Sequence, residues 1–181
     1  MTKSELTQSI YDAFLNVKLG NGIGLWEARI IDDNTYEKNS PEYIKIRNED
    51  EREDWSKLLP IFYNQGEKSD NYVADTWSFM DDKGILFHLP CFLLQDIELR
   101  SENALWDNPL IYTLTTHYVD SGTEFSSFDR LKILNSAQKQ VVIDFLNYKI
   151  EQFFKEKRED DRVEYQTAKD SFIKYCIAKP A

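Results

Sequence analysis

Cysteine, histidine and long apolar runs are scarce in this chain, and each shortage excludes a class of protein. The 181 residues contain two cysteines, Cys91 and Cys176, and two histidines, His88 and His117. The cysteines lie far apart in apolar surroundings, so we expect reduced core residues of an intracellular protein and not a disulfide framework. Because neither the cysteines nor the histidines are closely spaced, we expect no metal site.

No stretch approaches the roughly 18 consecutive apolar residues of a membrane-spanning helix. The first residues also lack the apolar run of a signal peptide, so we expect a cytoplasmic protein. Aromatic residues make up 14% of the chain, which is enough for a sizeable core. At this length we predict one globular domain over 1–181, with the highly charged 155–181 as a C-terminal helical extension.

Basic residues are outnumbered, with 22 Lys and Arg against 32 Asp and Glu and a net charge of −10. This balance argues against nucleic acid or an anionic membrane as the main partner, because both require a basic surface. The excess is densest over 32–54, where nine acids face four bases. That segment is typical of a solvated helix face, and the alternative is a surface that binds a basic protein partner.

The spacing of apolar residues predicts a mainly α fold of about five to seven helices with one small antiparallel β-hairpin near residues 76–89. Ser4 and Ser40 are suitable N-caps for helices over 4–18 and 41–58, and Asn135 or Ser136 for a third. Either that third helix continues across the charged 155–164 segment as one long helix, or it meets a separate last helix there, and we favour two helices. Residues 110–118 fit either a strand or a helix.

The hairpin prediction depends on Asp81–Gly84, whose residues favour a tight turn. Beyond it, Ile85, Phe87 and Leu89 alternate as on one face of a strand. Pro90 then suits the first turn of a helix. His88 is therefore predicted to lie at a junction between a strand and a helix.

His88 is the candidate general acid or base, because an imidazole with a pKa of about 6.5 transfers protons near neutral pH. Glu27 and Asp50 are its candidate carboxylate partners. The structural alternative, which we favour, is a histidine that caps the following helix or bonds to backbone.

The loop Leu19–Leu25 contains three of the six glycines, but it does not match a phosphate-binding loop. Such loops follow a strand, and one type requires Gly-Lys-Ser/Thr, whereas this loop follows a predicted helix and has no lysine after it. We therefore predict a structural turn and no cofactor.

Four groups of residues together resemble an uncharacterised bacterial family, domain of unknown function 6714. They are Leu19-Gly-x-Gly-Ile-Gly-Leu-x-Glu-Ala28, Ile31-Asp-Asp33, Arg47-x-x-Asp50-Glu51-x-x-x-Trp55 and Gly84–Pro90. The resemblance extends from about Leu6 to Tyr148, including Ala137–Leu146. It implies no activity, cofactor or catalytic residue.

The polar residues of these motifs allow two interpretations. They either form a network that fixes loop geometry or line a pocket, and the candidate residues beyond the three already named are Asp32, Asp33, Arg47, Asp54 and Trp55. For function we carry two hypotheses: an acidic interaction protein, such as an immunity-type binder of a basic partner, and a small hydrolase that uses His88 with a nearby carboxylate.

Overall fold

The computed structural model describes residues 1–63, 72–98, 108–115 and 129–177. The α-helices of these residues are α1 (Lys3–Ala13), α2 (Leu25–Asp32), α3 (Pro41–Arg47), α4 (Leu59–Tyr63), α5 (Tyr72–Thr76), α6 (Asp82–Glu98), α7 (Pro109–Thr115), α8 (Ser136–Glu156) and α9 (Glu159–Phe172). Short 3-10 helices cover Trp55–Leu58, Trp77–Phe79 and Asp129–Ile133, and a π-helical turn covers Ile173–Ile177.

The described residues contain no strand, so the predicted fold with a β-hairpin near residues 76–89 is wrong. Asp81 opens a helix and not a hairpin turn, because its Oδ1 accepts a hydrogen bond from the Gly84 amide at 2.8 Å. His88 and Pro90 lie inside α6 and not at a junction. The helices also outnumber the five to seven that we predicted.

The error has a physical reason. Helix α6 is buried nearly all round, and such a helix has no polar face from which a period of 3.6 residues can be recognised. A fully apolar run of this kind also contains a strand-like alternation, which Ile85, Phe87 and Leu89 supply. Pro90 removes one backbone donor from α6, and the helix nonetheless continues to Glu98.

The helix starts agree better with the sequence. The Ser40 hydroxyl accepts from the Tyr43 amide and Pro41 opens α3, although this helix ends at Arg47. Asn135 caps α8, as one of the two predicted alternatives. The first helix begins one residue early, with Thr2 and not Ser4 as its cap.

The C-terminal segment forms two helices, as predicted. Lys157 adopts a left-handed conformation with φ 59° and ends α8, and α9 starts at Glu159. Helix α9 packs on α7 and α8 and adds Tyr165 and Phe172 to the core. The single domain over 1–181 and the extension over 155–181 stay predictions.

The remaining predictions concern the middle of the chain and the cysteines. Residues 109–115 form a helix, which decides between the two alternatives for the described part of 110–118, and His117 lies outside the described residues. Cys91 and Cys176 are both buried. Among the described residues, no helix is long and apolar enough to cross a membrane.

A buried polar cluster joins α6, α7, α8 and α9. The Lys149 ammonium lies 2.8 Å from the Asp96 carboxylate and donates to the Asp96 carbonyl at 3.0 Å. Tyr165 and the Asn108 side chain donate to the other carboxylate oxygen. A buried ion pair of this kind is tolerated only when its remaining hydrogen-bonding groups are satisfied.

We expect Lys149→Met to lower the free energy of unfolding by about 3–5 kcal/mol, because the substitution leaves the Asp96 carboxylate buried without its cation. The matched control is Lys155→Met, on the exposed surface of the same helix, for which we expect a change within about 0.5 kcal/mol. Urea denaturation followed by circular dichroism measures both, and equal effects would contradict the buried pairing of Lys149 with Asp96.

Candidate functional site

The glycine-rich loop between α1 and α2 is held through its carbonyl oxygens. Arg52 donates to Gly20 O at 2.7 Å and to Gly22 O at 3.2 Å, and Arg47 donates to Asn21 O at 3.0 Å. A phosphate-binding loop instead presents backbone N–H groups to its ligand. The loop therefore has the arrangement of a structural turn clamped by two arginines.

Asp50 caps the start of α2 from 24 residues further along the chain. Its carboxylate accepts from the Trp26 amide at 2.8 Å and from the Glu27 amide at 3.2 Å. These are amides of the first turn, which have no partner within the helix. Asp50 is only 7% exposed, and this burial raises its pKa to about 6, although the two amide hydrogen bonds and Arg52 act in the opposite direction.

Glycine is required at position 24 by this contact. A Cβ on Gly24 would lie 2.2 Å from the carboxyl carbon of Asp50, far inside van der Waals distance. A second close approach joins the loop to α6, because a Cβ on Gly84 would lie 2.3 Å from the Ile23 carbonyl oxygen. Asp81 bridges the same two elements, accepting from the Ile23 amide at 3.0 Å and from the Gly84 amide.

Glu27 lies beneath the loop and is 2% exposed. Tyr43 of α3 donates to its Oε1 at 2.7 Å, while Arg47 and Arg52 approach its two oxygens at 3.3 and 3.7 Å. Its Oε2 has no hydrogen-bond partner among the residues that the structure describes. Burial, followed by the bond to Glu27, raises the pKa of Tyr43 to about 12, so the phenol is a hydrogen-bond donor at neutral pH.

His88 does not join this network. Its Nδ1 lies 2.7 Å from the Gly84 carbonyl one turn earlier in α6. No hydrogen bond links it to Glu27 or Asp50 in the described part of the chain. His88 is 1% exposed, and burial lowers its pKa to about 4, so the ring is neutral at neutral pH.

The other candidate residues occupy separate places. Asp33 is paired with Arg29 at 3.0 Å, and Asp32 is half-buried at the end of α2. Asp54 caps the Trp55–Leu58 helix by accepting from the Ser56 amide. Trp55 is buried and donates to the Phe14 carbonyl at 3.0 Å. Of the candidates, the structure brings together Glu27, Arg47 and Asp50.

Sequence reasoning missed two members of the network. Tyr43 looked like an ordinary apolar residue of α3, and Arg52 was one of four bases in an acidic segment. Neither had a local signal, since their roles depend on contacts with residues 16 or more positions away. The structure also contains no group of three or more His, Cys, Asp or Glu side chains that could hold a metal, within the described residues.

We expect Gly24→Ala to destabilise the protein far more than Gly20→Ala. The added methyl group at position 24 meets the Asp50 carboxylate, whereas a Cβ at position 20 meets no atom of the described residues within 4 Å. Gly20→Ala is strained only by its φ of +59°, which costs about 1 kcal/mol. Chemical denaturation measures the free energy of unfolding of both variants. Similar losses would show that the Asp50 side chain moves away from the added methyl group at little cost.

We expect His88 to stay neutral until the pH approaches 4. Because its folded-state pKa lies below the ordinary 6.5, folding favours the neutral ring, and this stabilising contribution is lost as the pH falls from about 6.5 to about 4. Titration of the imidazole signals by NMR measures the midpoint. A midpoint near 6.5 would mean that the ring is solvated and available for proton transfer.

Comparison with other proteins identifies one family to which the sequence is related. No curated protein matches this sequence, and no solved structure matches it. The sequence profile of a family of unknown function, DUF6714, matches residues 2–177. The match includes α9, beyond the Leu6–Tyr148 range over which the resemblance was visible in the motifs. The chain thus belongs to the family of unknown function DUF6714.

Proposed function

We propose that this protein is an acidic interaction protein whose outward-facing carboxylates over 33–49 bind a basic protein partner. The observation that supports the proposal is that the charged residues between Glu27 and Asp54 fall into two groups with different contacts. The buried carboxylates and two of the arginines hold the loop, while other acids of the same stretch face solvent.

Three of these exposed acids have no partner in the described part of the chain. Glu37, Glu42 and Glu49 are exposed and form no ion pair or hydrogen bond through their side chains with any described residue. Arg47 and Arg52 are occupied by loop carbonyls and Glu27, so they do not neutralise the outer acids. Charges of this kind steer a basic partner toward the surface and increase its association rate.

The same segment offers apolar contact area. Tyr36 and Ile44 are 39% and 46% exposed, and they lie in the same 36–49 stretch as the three acids. Interfaces combine an apolar or aromatic centre with a polar rim, and this segment has both components. Lys38 and Lys45 are also exposed, so the segment is acidic but not uniformly so.

An immunity-type protein that neutralises a basic toxin is the narrower form of the proposal. It is motivated by the small size and the net charge of −10. The hydrolase alternative has no comparable support, since His88 is buried and hydrogen-bonded within its own helix.

The test compares two triple variants with equal charge changes. Glu37→Lys/Glu42→Lys/Glu49→Lys alters the proposed surface, and Glu151→Lys/Glu156→Lys/Asp160→Lys alters exposed acids of α8 and α9. Immobilised wild-type protein and both variants are incubated with extract of the source organism, and retained proteins are identified by mass spectrometry. The affinity of each purified candidate is then measured by calorimetry.

We expect a basic protein that binds the wild type and the control triple alike, and whose dissociation constant rises at least about 10-fold with the first triple. Equal weakening by both triples would reveal attraction to net charge alone. Retention of no specific basic protein would overturn the proposal.

A further inference from the structure

Two apolar side chains face solvent where α8 joins α9. Phe154 is 70% exposed and Val163 is 52% exposed, whereas the adjacent Phe153 is 2% exposed. Single exposed apolar residues are common on protein surfaces, but a group of them marks a surface that binds another molecule. Complete burial of one such side chain contributes about 1.5–3 kcal/mol, so contact with a partner at this place is favourable.

The two side chains lie at the same level on the outer side of the helix pair. At a rise of about 1.5 Å per residue, Phe154 lies about 5 Å before the end of α8 and Val163 about 6 Å after the start of α9. The inner sides of these packed helices meet through Phe153 and Tyr165, whose ring centroids are 5.1 Å apart. Phe154 and Val163 point away from that contact and form one apolar patch.

Charges of both signs flank this patch. Lys155 near the end of α8 and Asp160 near the start of α9 are exposed, and neither side chain forms an ion pair or a hydrogen bond with a residue that the structure describes. Two ion pairs are already formed within the joint, namely Arg158–Asp161 and Arg162–Glu159. A surface with a cation on one helix and an anion on the other complements a copy of itself, because a two-fold axis brings the cation of one copy to the anion of the other.

The distribution of charge along the chain favours the same partner. Residues 151–181 contain seven acids and seven bases, so the net charge of −10 lies entirely in residues 1–150. Two copies of an acidic protein repel each other, and this repulsion is weakest where they meet through a segment without net charge. The C-terminal helices are such a segment.

We propose that this protein forms a homodimer through the outer side of the α8–α9 joint. A two-fold axis that runs between the two helices and parallel to them places α8 of each copy over α9 of the other. Phe154 then packs on Val163 of the second copy, and Lys155 lies beside Asp160 of the second copy. Each contact occurs twice, which gives the interface an apolar centre and a charged rim.

Sedimentation equilibrium of the full-length protein measures the association. The interface has only two apolar side chains from each copy, so we expect a weak dimer with a dissociation constant on the order of 10–100 µM. A protein that stays monomeric up to about 500 µM would overturn the proposal. No other protein is present, so the result is independent of the binding that we propose for residues 33–49.

Phe154→Glu and Leu15→Glu are a matched pair of variants, because these side chains are 70% and 69% exposed. We expect Phe154→Glu to raise the dissociation constant at least about 10-fold and Leu15→Glu to change it less than about 2-fold. Circular dichroism of both variants verifies that the helix content is unchanged. Equal effects of the two substitutions would overturn the assignment of the interface to this patch.

A charge exchange tests the two-fold arrangement without altering the apolar patch. Lys155→Glu and Asp160→Lys change the net charge in opposite directions, yet each places like charges together in the dimer, so we expect each to raise the dissociation constant about 3- to 5-fold. The double variant Lys155→Glu/Asp160→Lys restores opposite charges and the wild-type net charge, and we expect a dissociation constant within about 2-fold of that of the wild type. A double variant weaker than either single variant would overturn the proposal.

Discussion

The interaction on which this part of the fold depends is the burial of two carboxylates, Glu27 and Asp50, at the start of α2. Desolvated carboxylates need donors, and the chain supplies them from separate places: backbone amides of α2, the Tyr43 phenol and two guanidinium groups. These polar contacts thereby connect the loop, α2 and α3.

The glycines at positions 24 and 84 follow from the same arrangement. Each allows a close approach, one to a carboxylate and the other to a backbone carbonyl. The second approach brings the start of α6 into contact with the loop. The His88 ring forms a hydrogen bond with the carbonyl group of that same Gly84. The motif residues are thus linked as a scaffold, which leaves the solvent-facing acids of the segment free for other contacts.

Much of the local structure was predictable because its causes are local. Capping by Ser40 and Asn135 depends on a few neighbouring residues, and so does the break between α8 and α9. The prediction of a hairpin was wrong because a helix that is apolar on all sides does not show the 3.6-residue alternation of apolar and polar residues. The grouping of Glu27, Arg47 and Asp50 was accessible as a hypothesis about charge pairing, whereas Tyr43 and Arg52 enter only through three-dimensional convergence.

His88 and Asp50 differ in one respect that affects the whole molecule. Burial favours the neutral form of both side chains. The neutral form of His88 is the deprotonated ring, whereas the neutral form of Asp50 is the protonated carboxyl group. Acidification therefore destabilises the protein through His88 and stabilises it through Asp50. Their titrations overlap between about pH 4 and 6. The two effects act in opposite directions, so a small change of melting temperature over this range would not show that neither group titrates.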